Sequence, residues 1–197
     1  MNIGGSTIDL LGIDPLQVVD VVGETFYRIV KSEHSSGLGT GFGASRFVPP
    51  PPTSFKALYA AADLDTAFAE AVLRDRAAGK TGRVPLTLAE LQAWDVVEIA
   101  VDVLKLADFR PECIGTRLDT DALFARDHKQ GQEIGLRMHD DPAGYGGMIF
   151  RSRLTNSQNI VVFDRAIVGG LLEKNRTPLL MAGKFGETMD KFQLAII

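Results

Sequence analysis

The sequence has 197 residues, 45% of them apolar and 23% charged, with a formal net charge of −4 and a pI near 5.4. That length suits one domain burying roughly 70% of the unfolded chain's surface, so neither a disulfide nor a metal is required to hold it together. The acidic balance argues against a general nucleic-acid binder, which carries a basic patch and a basic pI, yet leaves room for a local basic pocket for a small anion. Cys113 is the single cysteine and cannot form an internal disulfide, which points to a reducing compartment. It reads as a structural thiol rather than a nucleophile. The opening "MNIGGSTIDLLGIDP" has no basic n-region, and no run approaches about 18 apolar residues, so neither a signal peptide nor a membrane span is expected. A soluble, cytoplasmic protein is the expectation.

In chain order, residues 1–23 read as an N-terminal extension, with a short helix expected in "DPLQVVDVV" (14–22). "TFYRIVK" (25–31) is strand-like, rich in aromatic and β-branched residues. "SEHSSGLGTGFGAS" (32–45) is a glycine- and serine-rich loop, continued by "VPPPPTS" as a stiff extended segment. "KALYAA" (56–61) reads as a short strand. "DLDTAFAEAVLRDRAAG" (63–79) is the clearest helix, with Asp63 as N-cap and Gly79 as C-terminal stop. Leu64, Ala67, Phe68, Ala71 and Val72 form its apolar face, and Glu70 falls at the rim of that face. "TLAELQAW" (87–94) carries the capping-box pair Thr87 and Glu90. "DVVEIAVDV" (95–103) alternates as a strand does. "DTDALFARDHKQGQEIGLRMHDD" (119–141) reads as helical pieces broken around Gly131 and Gly135. "GYGGMIFRSR" (144–153) is a glycine turn feeding a strand, and "NIVVFD" (159–164) is another strand. Residues 166–197 have apolar pieces without a strong pattern. The irregular mixture and the lack of a βαβ or other repeat indicate an α+β fold, a small split mixed sheet with flanking helices.

Several familiar signatures fail. "GTGFGA" (39–44) matches G-x-G-x-x-A, but Pro49 to Pro52 follow where a dinucleotide-binding helix must begin. "GKT" (79–81) lacks the glycine of a phosphate loop, since Arg74 stands in its place. His34, His128 and His139 have no metal-ligand spacing and read as surface or loop residues. No G-x-S-x-G elbow is present.

What remains is a set of polar and aromatic residues in strand-like or rim positions: Tyr27 and Arg28 in "FYRIV", Arg46 in "ASRF", Tyr59 and Glu70 in "LYAAADLDTAFAE", and Arg151, Ser152 and Arg153 in "IFRSRL". Each alone has an ordinary reading: a strand-face charge for Arg28, core for Tyr59, a solvated helix flank for Glu70. Together, in this order and spacing, they resemble the RES domain, the toxin half of bacterial RES–Xre toxin–antitoxin pairs, a family named for an Arg, a Glu and a Ser. Arg46 in "GASRF", Glu70 at the end of "ALYAAADLDTAFAE" and Ser152 in "GYGGMIFRSR" match those three. "YRIV" and "NIVVF" resemble flanking strands. The resemblance covers residues 24–165, leaving 166–197 as a tail packed on the domain. "RFVPPPP" and "FRSR" depart from the family's usual "RFNPPG" and proline-preceded serine.

The resemblance implies an ADP-ribosyltransferase-like fold and consumption of NAD, by hydrolysis or phosphorolysis of the nicotinamide–ribose bond, or by ADP-ribose transfer to a protein. A non-catalytic nucleotide-binding module is a further alternative. It implies Glu70, Arg46 and Ser152 as catalytic residues, with Tyr27, Arg28, Arg46, Tyr59, Glu70 and Ser152 around NAD. In that assignment Glu70 stabilises the oxocarbenium-like state. Arg46 and Arg28 hold the diphosphate. Tyr27 and Tyr59 stack on nicotinamide or pack against ribose. Ser152 bonds the nicotinamide amide or the ribose, and Arg151 or Arg153 braces the site. No metal is implied, and no cofactor beyond NAD as substrate. The expected partner is an Xre-type antitoxin covering the cleft, with any DNA binding left to it. A homodimer is compatible with the sequence.

Overall fold

Runs of β-branched and aromatic residues form the framework. The computed structural model describes residues 17–41, 43–53, 55–74, 76, 82–114 and 127–197. Its strands are β1 (Val18–Val22), β2 (Thr25–Lys31), β3 (Ala57–Ala61), β4 (Val84–Leu86), β5 (Trp94–Val101), β6 (Val103–Asp108), β7 (Gly147–Arg151), β8 (Gln158–Phe163), β9 (Leu171–Pro178) and β10 (Leu194–Ile196). Eight of them make one sheet in the order β1-β6-β7-β8-β3-β2-β5-β9, and β10 and β4 form a separate pair. The large sheet is antiparallel apart from the β6–β7 ladder. The α+β class with a mixed sheet and flanking helices is therefore as the sequence predicts. Among the described residues, no helix is long and apolar enough to cross a membrane.

The split lies between β2 and β3. These neighbours share one paired position, Tyr27 with Ala61, whereas β2 pairs with β5 along its whole length. Beyond Tyr27 the two strands part, and the glycine loop closes over the opening. Arg28 Nη1 donates to the carbonyls of Gly37 (2.8 Å) and Gly39 (2.6 Å). The Gly37 N–H donates to Glu173 Oε2 at 2.7 Å, and the Gly41 N–H to the Ala57 carbonyl at 3.4 Å.

Strand alternation sorts the core onto the two faces of the sheet. Leu58, Ala60, Ile149, Ile160 and Val162 pack on one face with Phe26, Val97 and Leu106. Ala57, Met148, Phe150, Val161 and Phe163 pack on the other, with Tyr59 against them and Phe47, Phe55, Ile134 and Met138 above. A third cluster joins α1 (Leu64–Phe68), α2 (Leu88–Gln92) and the C-terminal segment through Phe68, Leu91, Leu179 and Phe185.

Four expectations about local structure are refined or corrected. The helix expected over 14–22 is absent where described: residues 18–22 form β1, register-paired from Val18–Ala107 to Val22–Val103. Four valines in five residues favour the extended chain, and residues 14–16 lie outside the described residues. The helix starting at Asp63 is capped as predicted, Asp63 Oδ1 accepting the Thr66 N–H at 2.7 Å. It then widens into a π-helical turn over Ala69–Leu73, and Gly79 lies outside the described residues. Gly131 and Gly135 do not break a helix: α4 (Lys129–Asp140), which follows the short α3 (Pro111–Ile114), runs through both, while 119–126 lie outside the described residues. The C-terminal segment holds β9, an edge strand of eight residues. Its polar residues on both faces conceal the period of two. The capping box at Thr87 and Glu90 forms as expected.

The start of α1 is also tied to the turn between β7 and β8. Ser157 Oγ donates to Asp63 Oδ2, and Thr66 Oγ1 and Thr155 Oγ1 are 2.7 Å apart. Asp63→Ala removes both the cap and the Ser157 tie. A cap is worth about 1 kcal/mol and a neutral-donor hydrogen bond about another 1. At about 2–4 °C per kcal/mol for this size, the melting temperature is expected to fall by about 4–8 °C, as thermal denaturation followed by circular dichroism will read.

Candidate active site

One paired row crosses the middle of the sheet: Tyr27 on β2 opposite Ala61 on β3, Ala61 opposite Asn159 on β8, and Asn159 opposite Phe150 on β7. Side chains directly opposite in a ladder share a face. This row floors a cavity of about 350 Å³, within the range of small-molecule sites. Glu70 and Arg74, on and just after the π-helical turn, form one wall. Ser45, Arg46 and His128 also line it, as do Arg153 and Leu154 from the β7–β8 turn. π-Helical turns concentrate at functional sites, and this one carries the cavity's acid.

Among the described residues that line the cavity, Glu70 is the single acidic one. Ser152 Oγ donates to its Oε1 at 2.8 Å and Asn159 Nδ2 to the same oxygen at 3.3 Å. Arg74 Nη2 donates to Oε2 at 2.5 Å. Three donors from two elements and the sheet fix the carboxylate's orientation. Ser152 itself is 3% exposed and stands behind Glu70. Its oxygen accepts the N–H groups of Leu154 (3.1 Å) and Thr155 (3.4 Å), so its one hydroxyl proton is committed to the carboxylate.

Arg46 owes its place to α4. A Cβ on Gly131 would lie 2.5 Å from the Arg46 carbonyl oxygen, and one on Gly135 would lie 1.9 Å from that of Phe47. The two glycines, one helical turn apart, make a groove in which the Arg46–Phe47 backbone lies. Gln132 Nε2 adds a bond to the Ser45 carbonyl at 3.0 Å. From the sheet side, Tyr59 Oη receives the Phe47 N–H at 3.1 Å and bonds Ser45 Oγ at 2.8 Å. The Tyr59 and Phe47 rings lie nearly parallel, 6.5 Å apart. The stiff frame visible in the sequence around Arg46 is thus completed by a helix more than eighty residues away.

The cavity is strongly cationic. Arg28, Arg46, Arg74, Arg151 and Arg153 all line it. Burial, and after it the charges of Arg74 and Arg153, push the Arg46 guanidinium below its ordinary value. Burial does the same to Arg28. His128 is lowered by burial and then by Arg46 and Arg74, so its imidazole is neutral at neutral pH. Burial pushes the Tyr59 phenol up, which keeps it protonated. Arg151 is paired with Glu112 at 2.5 Å.

The structure therefore gathers Tyr27, Arg28, Arg46, Tyr59, Glu70, Arg151 and Arg153 around one cavity and sets Ser152 against Glu70. Arg28 also braces the glycine loop, and the Tyr59 hydroxyl is engaged by its own wall. Sequence reasoning passed over Arg74, Asn159 and His128. Two of them carried a signal: Arg74 stands four residues after Glu70, on the same helix side, and Asn159 is one of two polar residues that open an otherwise apolar strand and is buried in the structure, 6% exposed. His128 offered no sequence signal, since it reaches the cavity only through the packing of α4.

Residues 25–179 match the family model described as RES domain. A protein of Sinorhizobium fredii (strain NBRC 101917 / NGR234) named probable toxin y4kH is 34% identical over 130 residues, which are 64% of this chain and 100% of that protein. A chain in the crystal structure of the M. tuberculosis MbcT–MbcA toxin–antitoxin complex superposes with a TM-score of 0.64 at 20% identity, covering 93% of this chain and 96% of that one. At that identity the likeness establishes the fold.

Proposed function

The chain belongs to the RES-domain family, and from that membership and the make-up of its cavity we propose that it is the toxin of a toxin–antitoxin pair, an enzyme that cleaves the nicotinamide–ribose bond of NAD. The observation that carries this reading is one oriented carboxylate, Glu70, facing a cavity lined by five arginines. A diphosphate matches guanidinium forks in charge and geometry. An acid beside them meets the other requirement of NAD cleavage, a negative group near the ribose.

Nicotinamide leaves NAD as a neutral ring, so the leaving group needs no proton. Positive charge instead develops on the ribose as in glycoside cleavage. Glu70 accepts hydrogen bonds from ribose hydroxyls and stabilises that charge, and its orientation is fixed before the reaction begins. Arg46 holds the diphosphate, with Arg28 securing the loop beside it, and Tyr27 and Tyr59 supply aromatic walls. The acceptor for the ribosyl carbon is water or phosphate. In this reading Ser152 and Asn159 are positioning residues that act through Glu70. Ser152→Ala is expected to lower kcat about tenfold, the scale of one hydrogen bond to a charged group, with KM for NAD nearly unchanged. Steady-state kinetics will check it: a rise in KM at constant kcat would place Ser152 on the substrate instead.

The partner is an antitoxin of the Xre type that covers the cavity. The family resemblance and the toxin–antitoxin nature of the similar structure support this. Induced expression in a bacterial host is expected to deplete cellular NAD and arrest growth, with neither effect from Glu70→Gln. Growth arrest at unchanged NAD would overturn the substrate assignment. Radiolabel from NAD appearing on a host protein would instead identify ADP-ribose transfer.

A further inference from the structure

The Glu70–Arg74 contact has an ordinary explanation, an i,i+4 ion pair that supports a helix by a few tenths of a kcal/mol. Its location argues for more. Both side chains line the cavity, and the contact lies at the end of the π-helical turn, whose wider coil (i→i+5 bonding) brings residue i+4 over residue i. Arg74 occupies Oε2, the carboxylate oxygen opposite the one that Ser152 and Asn159 hold. Oε1 is therefore committed to the protein, and Oε2 is the oxygen left to meet a ribose, provided that Arg74 releases it. The Arg74 side chain is 41% exposed and, among the described residues, is tethered by this short bond, so it can swing. Its charge also acts on Arg46, which lines the same cavity. An anion entering between the two relieves their repulsion.

We propose that Arg74 is a specificity-determining latch: it holds Glu70 Oε2, as in this structure, and transfers to the diphosphate of an entering dinucleotide, thereby uncovering the carboxylate for the ribose. The inference rests on the NAD reading above and adds a rule of selection, in which nicotinamide substrates without a diphosphate fail to draw the latch away. Nicotinamide riboside and nicotinamide mononucleotide are then poor substrates for a reason of access as well as affinity.

The test compares wild type with Arg74→Ala on NAD and on nicotinamide riboside, with circular dichroism to verify the fold. For Arg74→Ala, kcat/KM for NAD is expected to fall about tenfold to a hundredfold, the scale of one charge-assisted hydrogen bond. For nicotinamide riboside it rises, because nothing then covers the carboxylate oxygen, and an unchanged value beside a fall on NAD would make Arg74 a diphosphate ligand only and overturn the latch. Equal falls on both substrates, or no change on either, would overturn the latch. Inorganic pyrophosphate titrated calorimetrically gives a readout that does not need catalysis: Arg74→Ala is expected to bind it about tenfold more weakly, and equal affinities would overturn the proposal. A wild type that releases nicotinamide from neither substrate would defeat the NAD reading, while the pyrophosphate titration would still decide whether Arg74 binds a diphosphate.

Discussion

Glu70→Gln is expected to reduce nicotinamide release from NAD by about 10² to 10³ in kcat, the range found when one preorganised electrostatic stabiliser is removed. Glutamine keeps the length and branching of the side chain, and its carbonyl oxygen can still accept from Ser152 and Asn159. What disappears is the negative charge that the proposed mechanism sets against the ribose. The fold will not suffer, because the Arg74–Glu70 pair is 41% and 22% exposed and solvent screening leaves such a pair worth about 0.5 kcal/mol or less. The variant should therefore melt within about 2 °C of wild type, and its KM for NAD should change little. The comparison is a full kinetic curve beside a thermal melt. Retention of more than a tenth of the wild-type kcat in a folded variant would remove Glu70 from the centre of the mechanism.

Gly135→Ala should damage both stability and function although it changes one hydrogen to a methyl. On an exposed helix the substitution would add about 1 kcal/mol of stability by propensity. Here the new Cβ would sit 1.9 Å from the Phe47 carbonyl oxygen, a backbone atom that cannot rotate away. Relief requires α4 and the Arg46–Phe47 segment to separate, at about 3 kcal/mol, the upper end of typical overpacking costs. The contact outweighs the propensity, and a net loss of about 2 kcal/mol is expected, or about 4–8 °C in melting temperature. The direction of movement matters more for function, since it carries Arg46 out of register with Glu70. KM for NAD should rise about tenfold, the scale of a weakened charge-assisted bond, with a smaller change in kcat. Denaturant unfolding and steady-state kinetics check the two parts separately, and a stabilised variant with unaltered KM would show that the loop does not depend on the helix.

The same glycine explains where sequence reading stopped. Gly131 and Gly135 look like helix breaks because a glycine's conformational cost is local and visible, while the backbone of residues 46 and 47 lying against them is distant and is not. Strands with aromatic or β-branched residues on one or both buried faces, β2, β3, β5, β7 and β8, announce themselves. β9 does not, because an edge strand with solvent on much of its surface has no apolar face to reveal it. β1 was misread for a different reason: the Asp14-Pro15 start suggests a helix, while the four valines that follow prefer the sheet. In the candidate site, the rim position of Glu70 follows from helical geometry alone. Its contact with Ser152, 82 positions away, does not follow from any local rule. Only the resemblance to a family set those two residues side by side, and it did not indicate that the serine faces the carboxylate with its proton already donated.

The most direct test of the central claim is product analysis of NAD incubated with the purified protein, with and without inorganic phosphate, by chromatography with mass detection. One nicotinamide is expected per NAD consumed, accompanied by ADP-ribose or, with phosphate as acceptor, its phosphorylated form. Intact NAD under both conditions, with a folded protein that binds it, would contradict an NAD-cleaving enzyme and leave the cavity as a binding site.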